Sequence, residues 1–261
     1  MATTEWIYGR QVVRLALAAG ARRRAVRLAA TAPALRALAG HLPPGLERSV
    51  VASDALDRLT GSREHQGVAL EVPPYPYADE GAALDGDLVV VLDQVSDPRN
   101  LGAVARSALA AGVTALVVPR HRAAHVTPAA VKASAGTLEH LGVAQVANVA
   151  RFLQEAKRAA FWVYGASGEG DVAYTGLDLG DRVVLVFGAE GRGLRPLVAR
   201  TCDALAAVPM RPPVESLNVS VAAALFLYEV VRQRGGRTAA AGAAVDAAAA
   251  GQAGAARDLL P

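Results

Sequence analysis

Short apolar runs alternate with helix-like segments along this chain, and the pattern divides the sequence near residue 73. The pattern in the first part predicts a small α/β unit with a few short elements. These are helices at Arg10–Ala19 and near Asp54–Leu59, apolar stretches at Ala25–Ala29 and Ser49–Ala52, and a strand at Gly67–Val72. A linker with the sequence PPYPYADEGA follows over residues 73–82, and its prolines stiffen it.

The longer second part alternates strand-like runs with helix-like segments as far as about residue 236. The strand-like runs are Leu88–Leu92, Ala115–Val118, Phe161–Tyr164 and Val183–Phe187. The helix-like segments are Leu101–Ala111, Pro128–Ser134, Arg151–Ala160 and Leu217–Gln233. This alternation predicts an α/β fold, with a mainly parallel sheet and helices on both of its faces. The tail over residues 237–261 is rich in Ala and Gly, and we expect it to be disordered.

The net charge of +3 is unevenly distributed, because residues 1–75 carry ten Arg and only six Asp or Glu. A basic unit beside a nearly neutral body suits contact with a polyanion such as RNA. A charge run alone more often marks a solvated turn, and Arg22–Arg24 could be no more than that. Only Trp6 and Tyr8 are aromatic before the linker. We therefore expect backbone and shape contacts with RNA rather than base stacking.

Composition predicts a soluble, cytoplasmic protein without a membrane partner. The longest strongly apolar run, Val221–Tyr228, is far shorter than the roughly 20 residues of a membrane-spanning helix. The opening sequence MATTEWIYGR lacks the basic-then-apolar pattern of a secretory signal. Cys202 is the only cysteine, which excludes an intrachain disulfide.

Three segments carry candidate chemistry, and each follows a strand-like run, so they can converge at the carboxyl edge of the sheet. The first, DQVSDPRNLGAVARSA at residues 93–108, turns at Asp97 and Pro98 and enters a helix that Asn100 could cap. Its Arg106 could simply be solvated.

The second segment, FGAEGRGL at residues 187–194, is a glycine-rich loop with the spacing GxxGxG. It is neither a Walker loop nor the dinucleotide fingerprint, and alone it could be an ordinary turn.

The third segment, VPMRPPVESLNVSVAAALFLYEV at residues 208–230, joins a strand to an apolar helix through a proline-rich loop. Either Ser216 or Asn218 could cap that helix, and because Ser216 already suffices, one of the two polar side chains is free for another role. Each segment has an ordinary structural interpretation when it is considered alone. The combination of the three, in this order, does not.

Together, Asp93–Ala108, Gly188–Leu194 and Pro209–Ala222 resemble the three motifs of the SpoU, or TrmH-like, branch of the SPOUT methyltransferases. The stretches IYGRQVV and HQGVAL resemble the small RNA-binding domain of the branch that modifies a guanosine of 23S ribosomal RNA. The resemblance implies a C-terminal trefoil knot that holds S-adenosylmethionine, methyl transfer to a ribose 2′-hydroxyl, and a homodimer. It divides the chain into an RNA-binding domain at 1–75, a linker at 76–85 and a methyltransferase domain at 86–236.

The resemblance also implies roles for individual residues, without a metal ion. The cofactor-binding residues would be Gly188, Gly193, Val208, Met210 and Leu217. The catalytic residues would be Arg106 as the general base, positioned together with the RNA by Asn100, Glu190, Ser216 and Asn218. Because a guanidinium normally stays protonated, Arg106 could instead clamp the RNA phosphate and stabilise the developing alkoxide.

One departure from the family pattern is Pro212, where a glycine is common, and it leaves backbone contacts from residues 211–215 open. His121 and His125 have helical metal-ligand spacing but no third ligand, so solvated histidines are favoured. Cys202 is interpreted as a small core residue rather than a nucleophile. The helix Val219–Val231 is apolar on more than one face, which suits either a second subunit or burial within one chain.

Two rival functions belong to other classes. A non-catalytic RNA-binding protein would not need Asn100, Arg106, Glu190 and Asn218 together. A nicotinamide-dependent oxidoreductase would show GxGxxG after an early strand and an acidic residue about 20 positions later, and neither occurs in that arrangement. Within the enzyme interpretation, transfer RNA and a ribosomal site whose methylation confers antibiotic resistance are alternative substrates.

Overall fold

The computed structural model describes residues 4–19 and 25–235. The expectations for Arg22–Arg24 and for the tail after residue 235 lie outside these ranges. The amino-terminal unit contains a four-stranded sheet in the order β1-β4-β2-β3, in which only β2 and β3 are parallel. Its strands are β1 Glu5–Tyr8, β2 Arg27–Ala30, β3 Glu47–Val50 and β4 Val68–Val72. Its helices are α1 Arg10–Ala18, α2 Ala32–Leu38 and α3 Ser53–Thr60.

The body contains a seven-stranded sheet in the order β7-β6-β5-β10-β8-β11-β9, with every pair parallel. Its strands are β5 Leu88–Asp93, β6 Ala115–Pro119, β7 Gly142–Val146, β8 Trp162–Ala166, β9 Val172–Ala173, β10 Val183–Gly188 and β11 Ala204–Ala207. Its helices are α4 Pro98–Ala110, α5 Pro128–Ala133, α6 Val149–Arg158, α7 Pro196–Thr201 and α8, whose described part covers residues 219–235.

Both faces of the body sheet are covered, as the apolar runs predict. All six residues of β5 are buried, because alternate side chains enter two separate hydrophobic clusters. Leu88, Val90 and Leu92 pack in the cluster that includes α4, α5 and α8. Val89 and Val91 pack in the cluster that includes α6 and α7. The predicted fold class, an α/β fold with a mainly parallel sheet, is confirmed.

The amino-terminal unit shares a continuous core with the body, since Ile7 and Val13 belong to the same cluster as Leu92. The segment between the two parts is bound to the body at several points. The hydroxyl of Tyr75 donates to the carbonyls of Leu138 (3.0 Å) and Leu141 (2.7 Å). The N–H of Ala78 donates to the Val143 carbonyl (2.8 Å), and that of Val126 donates to the Tyr77 hydroxyl (2.9 Å). This segment therefore packs against the body along its length.

Most predicted elements are present within a few residues of their expected bounds, but several short ones were missed. The missed elements are β1, β7, β9, α2 and α7. They are at most seven residues long, too short for a clear helical or alternating periodicity. Among the described residues, no helix is long and apolar enough to cross a membrane.

Candidate active site

Four loops meet at the carboxyl edge of the body sheet, where β5, β10, β8 and β11 end side by side. Three of them are the segments singled out from the sequence, after β5, β10 and β11. The fourth, the loop after β8, was missed, although its sequence GASGEG at residues 165–170 is also glycine-rich. The order of the strands therefore brings together segments that are separated by up to about 120 positions in the chain.

The loop after β10 requires glycine at specific positions. A Cβ at Gly188 would lie 2.1 Å from the carbonyl carbon of Gly193 and 2.4 Å from the N of Leu194. The close approach comes from a tight turn, in which the N–H of Gly193 donates to the Ala189 carbonyl (2.8 Å). Gly191 and Gly193 have φ of 73° and 64°, in the left-handed region that favours glycine. Their spacing in the sequence thus reflects the geometry of this turn.

An ion pair between a buried carboxylate and an exposed guanidinium holds the far end of this loop on the neighbouring strand. Asp93, at the end of β5, is fully buried. Its Oδ1 accepts a hydrogen bond from Nε of Arg195 (2.8 Å) and lies 2.6 Å from Nη2 of the same guanidinium, and its Oδ2 accepts a hydrogen bond from the Arg195 backbone N–H (3.0 Å). Asp93 was noted in the sequence only as the start of a motif. Because the carboxylate's hydrogen bonds within the described residues are all with Arg195, 102 residues later, no local pattern could show this structural role.

A cavity of about 720 Å³ lies between the loops. All five predicted cofactor-binding residues line it, namely Gly188, Gly193, Val208, Met210 and Leu217. The loop after β8 contributes Ser167, Gly168 and Glu169, which sequence reasoning missed. The Pro212–Pro213 peptide bond is cis and residues 211–216 are exposed, while Met210 and Leu217 on either side of them still line the cavity.

Three polar side chains from three different loops form one hydrogen-bonded cluster, which we call the Asn100–Glu190–Asn218 cluster. Oε1 of Glu190 accepts from Nδ2 of Asn100 (3.0 Å) and from Nδ2 of Asn218 (2.7 Å). Nδ2 of Asn218 also lies 3.0 Å from Oδ1 of Asn100. Glu190 lines the cavity as well, so the cluster stands at its edge. The structure therefore places three of the predicted catalytic residues in contact with one another.

Of the two helix caps considered from the sequence, that of α4 is wrong and that of α8 is one of the two candidates. The cap of α4 is Asp97, whose Oδ1 accepts from the N–H of Arg99 (2.8 Å), and Asn100 is buried inside the first turn. The residue before α8 is Asn218, whose Oδ1 accepts from the N–H of Ser220 (2.8 Å), so Ser216 is not needed as the cap. An Asn side chain has an acceptor and two donors. Asn218 can therefore cap α8 with its oxygen and bind the cluster with its nitrogen.

The remaining predicted catalytic residues lie apart from this cluster. Ser216 is exposed and lines the 720 Å³ cavity. Arg106 is exposed on α4, six residues beyond Asn100, and lines neither this cavity nor the one beside it. Within residues 4–19 and 25–235 its guanidinium makes no hydrogen bond or ion pair. The catalytic role of Arg106 stays a prediction.

Cys202 and His125, which were also considered as candidate groups, have surroundings typical of structural residues. Burial raises the pKa of Cys202 to about 12, against a lowering by Lys157 and with further raising by Asp203 and Asp93. At neutral pH the thiol is therefore protonated, as suits a packed residue rather than a nucleophile. Nδ1 of His125 lies 2.8 Å from Nε2 of Gln145. Among the described residues, no group of three or more His, Cys, Asp or Glu could hold a metal ion.

The composition of the cavity fits S-adenosylmethionine. Phe187, Leu205 and Phe226 supply apolar surface for an adenosyl group. Glu169 and Glu215 supply carboxylates suited to the ammonium and sulfonium charges of the donor. The absence of a Cβ at Gly188 lets the backbone loops close around this space. The residues present thus match both the apolar and the cationic parts of this donor.

Sequence profiles and relatives identify the family to which the chain is similar. The profile of the SpoU rRNA Methylase family matches residues 87–228, and that of RNA 2′-O ribose methyltransferase substrate binding matches residues 6–78. A 23S rRNA (guanosine-2′-O-)-methyltransferase, RlmB, of Xylella fastidiosa is 44% identical over 197 residues, which cover 73% of this chain and 79% of that protein. An uncharacterized tRNA/rRNA methyltransferase of Mycobacterium ulcerans is 41% identical over 241 residues, covering 88% and 78% respectively.

Solved structures show the same architecture. The SpoU methyltransferase AviRb from Streptomyces viridochromogenes, in complex with AdoMet, aligns with a TM-score of 0.75 at 28% identity, covering 88% of this chain and 89% of that one. Fold, site and relatives together define an S-adenosylmethionine-dependent RNA methyltransferase. The chain belongs to the SpoU rRNA Methylase family.

Proposed function

We propose that this protein transfers a methyl group from S-adenosylmethionine to the ribose 2′-hydroxyl of a guanosine in 23S ribosomal RNA. The observation that carries the proposal is that the Asn100–Glu190–Asn218 cluster stands at the edge of the cavity suited to the methyl donor. The Xylella fastidiosa relative, named for this reaction, supports the choice of RNA and nucleotide. Transfer RNA and a resistance-conferring ribosomal site remain the alternative substrates.

In this proposal the residues of the cavity and of the cluster have separate tasks. The donor supplies the methyl group. Gly188, Gly193, Val208, Met210 and Leu217 hold it through the loops after β10 and β11. The amides of Asn100 and Asn218, bridged by Glu190, keep a fixed set of polar atoms at the place where the ribose has to approach. Holding the two substrates in line accounts for most of the acceleration expected of such a site.

Arg106 is proposed as a clamp on the RNA phosphate that also stabilises the charge developing on the 2′-oxygen. A guanidinium stays protonated in proteins, which favours this role over that of general base. We expect Arg106→Lys to lower turnover about tenfold or more, because a lysine ammonium cannot bind phosphate with two parallel hydrogen bonds. Turnover with saturating donor measures the effect.

Arg99→Lys, a change at an exposed position on the same helix, is the matched control and is expected to retain activity. Full activity of Arg106→Lys would disprove an essential role.

We also infer a homodimer that forms through α8. Phe226, Leu227 and Val230 face the core, whereas Val221 and Tyr228 are 48% and 57% exposed. Two exposed apolar side chains seven positions apart lie on one side of a helix, where they could pack against a second copy.

If α8 forms the dimer interface, Tyr228→Asp should convert the dimer to a monomer, because the change buries a charge between two apolar surfaces. Sedimentation velocity at micromolar concentration measures the result. Trp162→Asp changes an equally exposed aromatic residue on another surface and is expected to leave the dimer intact. A Tyr228→Asp variant that sediments like the parent would place the interface elsewhere.

Further parts of the proposal rest on family membership. We infer that the amino-terminal domain, residues 1–75, binds RNA, that residues 76–85 form the linker, and that the methyltransferase domain at 86–236 ends in the trefoil knot. The two profile matches, at residues 6–78 and 87–228, support these bounds. A cytoplasmic location is proposed because ribosomal RNA is found there.

The decisive experiment gives the purified chain labelled S-adenosylmethionine together with unmodified 23S ribosomal RNA, 16S ribosomal RNA or transfer RNA. We expect label in 23S RNA, and mapping of the 2′-O-methyl group to a single guanosine. Label in transfer RNA alone would replace the proposed substrate. Failure with every RNA, despite binding of the donor, would instead favour a non-catalytic RNA-binding protein.

A further inference from the structure

The 720 Å³ cavity proposed for the methyl donor is called the donor cavity. A second cavity, of about 530 Å³, lies beside it, and the two share a wall formed by Ala189, Glu190 and Arg192. The rest of its lining includes Asn100, Gln94 in the loop after β5 and Arg122 in the loop after β6. Its volume is within the range of about 300–1,000 Å³ that is common for ligand pockets. Because Asn100 and Glu190 line it, the second cavity also borders the Asn100–Glu190–Asn218 cluster.

The charges of this cavity favour an anionic ligand. Its two carboxylates are already engaged, since Asp97 accepts from the Arg99 N–H (2.8 Å) and Glu190 accepts from two asparagine amides. Arg122 and Arg192 are both exposed. In the part of the chain that the structure describes, their guanidinium groups make neither a hydrogen bond nor an ion pair. Two cations that have no partner among the described residues thus line a cavity whose acids are occupied.

The position of Arg122 is determined by the backbone of two loops. Its φ of 58° lies in the left-handed region, as does that of Gln94 at 64°, and neither residue is a glycine. The N–H of Ala124 donates to the carbonyl of Val95 (2.8 Å), which joins the loop after β6 to the loop after β5. Backbone conformations of this kind are sparsely populated and tend to cluster at functional sites. Here two of them line the same cavity.

We propose that the second cavity receives the target nucleotide of the RNA and that Arg122 binds a phosphodiester group next to it, with Arg192 at the shared wall. This assignment rests on the proposed function, because it is the cluster at the edge of the donor cavity that identifies where the ribose lies. A guanidinium matches the geometry of a phosphate with two parallel hydrogen bonds. The nucleotide bound in this way would present its ribose to Asn100 and Glu190, between the two cavities.

The test measures RNA binding and donor binding separately, on the full chain. Arg122→Asn removes the charge and keeps a residue that tolerates left-handed backbone. Arg122→Lys keeps the charge and loses the guanidinium. Arg120→Asn is the matched control, because Arg120 is exposed two positions earlier but its Nε donates to the Gln145 carbonyl (3.4 Å) and it does not line the cavity. Filter binding to an unmodified 23S rRNA transcript is measured over a series of KCl concentrations, and S-adenosylmethionine binding by calorimetry.

We expect Arg122→Asn to bind the transcript about tenfold more weakly, with the slope of log K against log[KCl] reduced by about 0.7–0.9, the value for one lost phosphate contact. Arg122→Lys should recover part of the affinity, and donor binding should not change in any variant. RNA binding by Arg122→Asn equal to that of the parent would overturn the assignment, and so would an equal loss in Arg120→Asn. Parent protein that binds RNA through Arg122 but transfers no methyl group would refute the proposed function while supporting the RNA site.

Discussion

Gly188→Ala is expected to abolish measurable binding of S-adenosylmethionine, with a loss of affinity of about 100-fold or more, equivalent to roughly 2.7 kcal/mol. The added Cβ would lie 2.1 Å from the carbonyl carbon and 2.3 Å from the carbonyl oxygen of Gly193. Both are backbone atoms, so no side-chain rotation can relieve the overlap. The turn between Ala189 and Gly193 has to open, and it forms one wall of the donor cavity. Calorimetric titration with the donor measures the affinity.

A control within the same loop distinguishes the steric overlap of an added Cβ from the effect of an unfavourable backbone conformation. Gly191 has φ of 73°, but a Cβ added there meets no atom within 4 Å. Gly191→Ala should therefore lower the free energy of unfolding by about 1–3 kcal/mol through the unfavourable φ alone, with donor affinity largely retained. Urea unfolding of both variants shows whether a loss of binding reflects a loss of folding. Donor affinity of Gly188→Ala equal to that of Gly191→Ala would mean that the close approach at Gly188 does not shape the cavity.

Glu190→Ala is expected to reduce turnover about 100-fold at saturating donor, because misplacing groups at a reacting centre by about 1 Å can have an effect of that size. Oε1 of Glu190 is the atom that Asn100 and Asn218 share, at 3.0 and 2.7 Å. Without it, the two amides lose their common acceptor, and Asn100 is held only by its hydrogen bond with Asn218, so its amide can shift. Single-turnover methyl transfer to RNA, with donor affinity measured in parallel, distinguishes a loss of positioning from a loss of donor binding.

Two further variants test whether the shared oxygen or the charge of Glu190 matters. Glu190→Gln keeps an oxygen that can accept from both amides, so it should retain most of the turnover if positioning is the task. Ser220→Ala removes the hydroxyl that donates to Oδ1 of Asn218 (2.6 Å), but the Ser220 N–H still holds that oxygen at 2.8 Å. We expect little change from it. If Glu190→Gln were as inactive as Glu190→Ala, the negative charge would be the essential property.

Part of the candidate site could be predicted from the sequence, and part of it could not. The five predicted cofactor residues all line the donor cavity, because they lie in loops that directly follow strands with clear apolar runs. The loop at Ser167–Glu169 was missed although its strand, β8, was predicted, because a short turn that contains Gly and Ser resembles any ordinary connection between elements. The cap of α4 was misassigned, and that of α8 stayed open between Ser216 and Asn218, because Asn, Asp and Ser all satisfy helix ends and only the position of the first helical residue distinguishes them.

Sequence alone determined the class of fold, the position of the glycine-rich turn and the resemblance of three segments to a known set of motifs. Apolar periodicity and backbone requirements are properties of neighbouring residues, so they can be recognised along the chain. Tertiary structure decided which polar atoms meet. Asn100 and Glu190 are 90 positions apart, and Asp93 and Arg195 are 102 apart. These contacts depend on β5 lying next to β10, and many orders of buried parallel strands would bury the same apolar runs equally well. The second cavity and its Arg122 follow from that order too, so they became visible only in the folded chain.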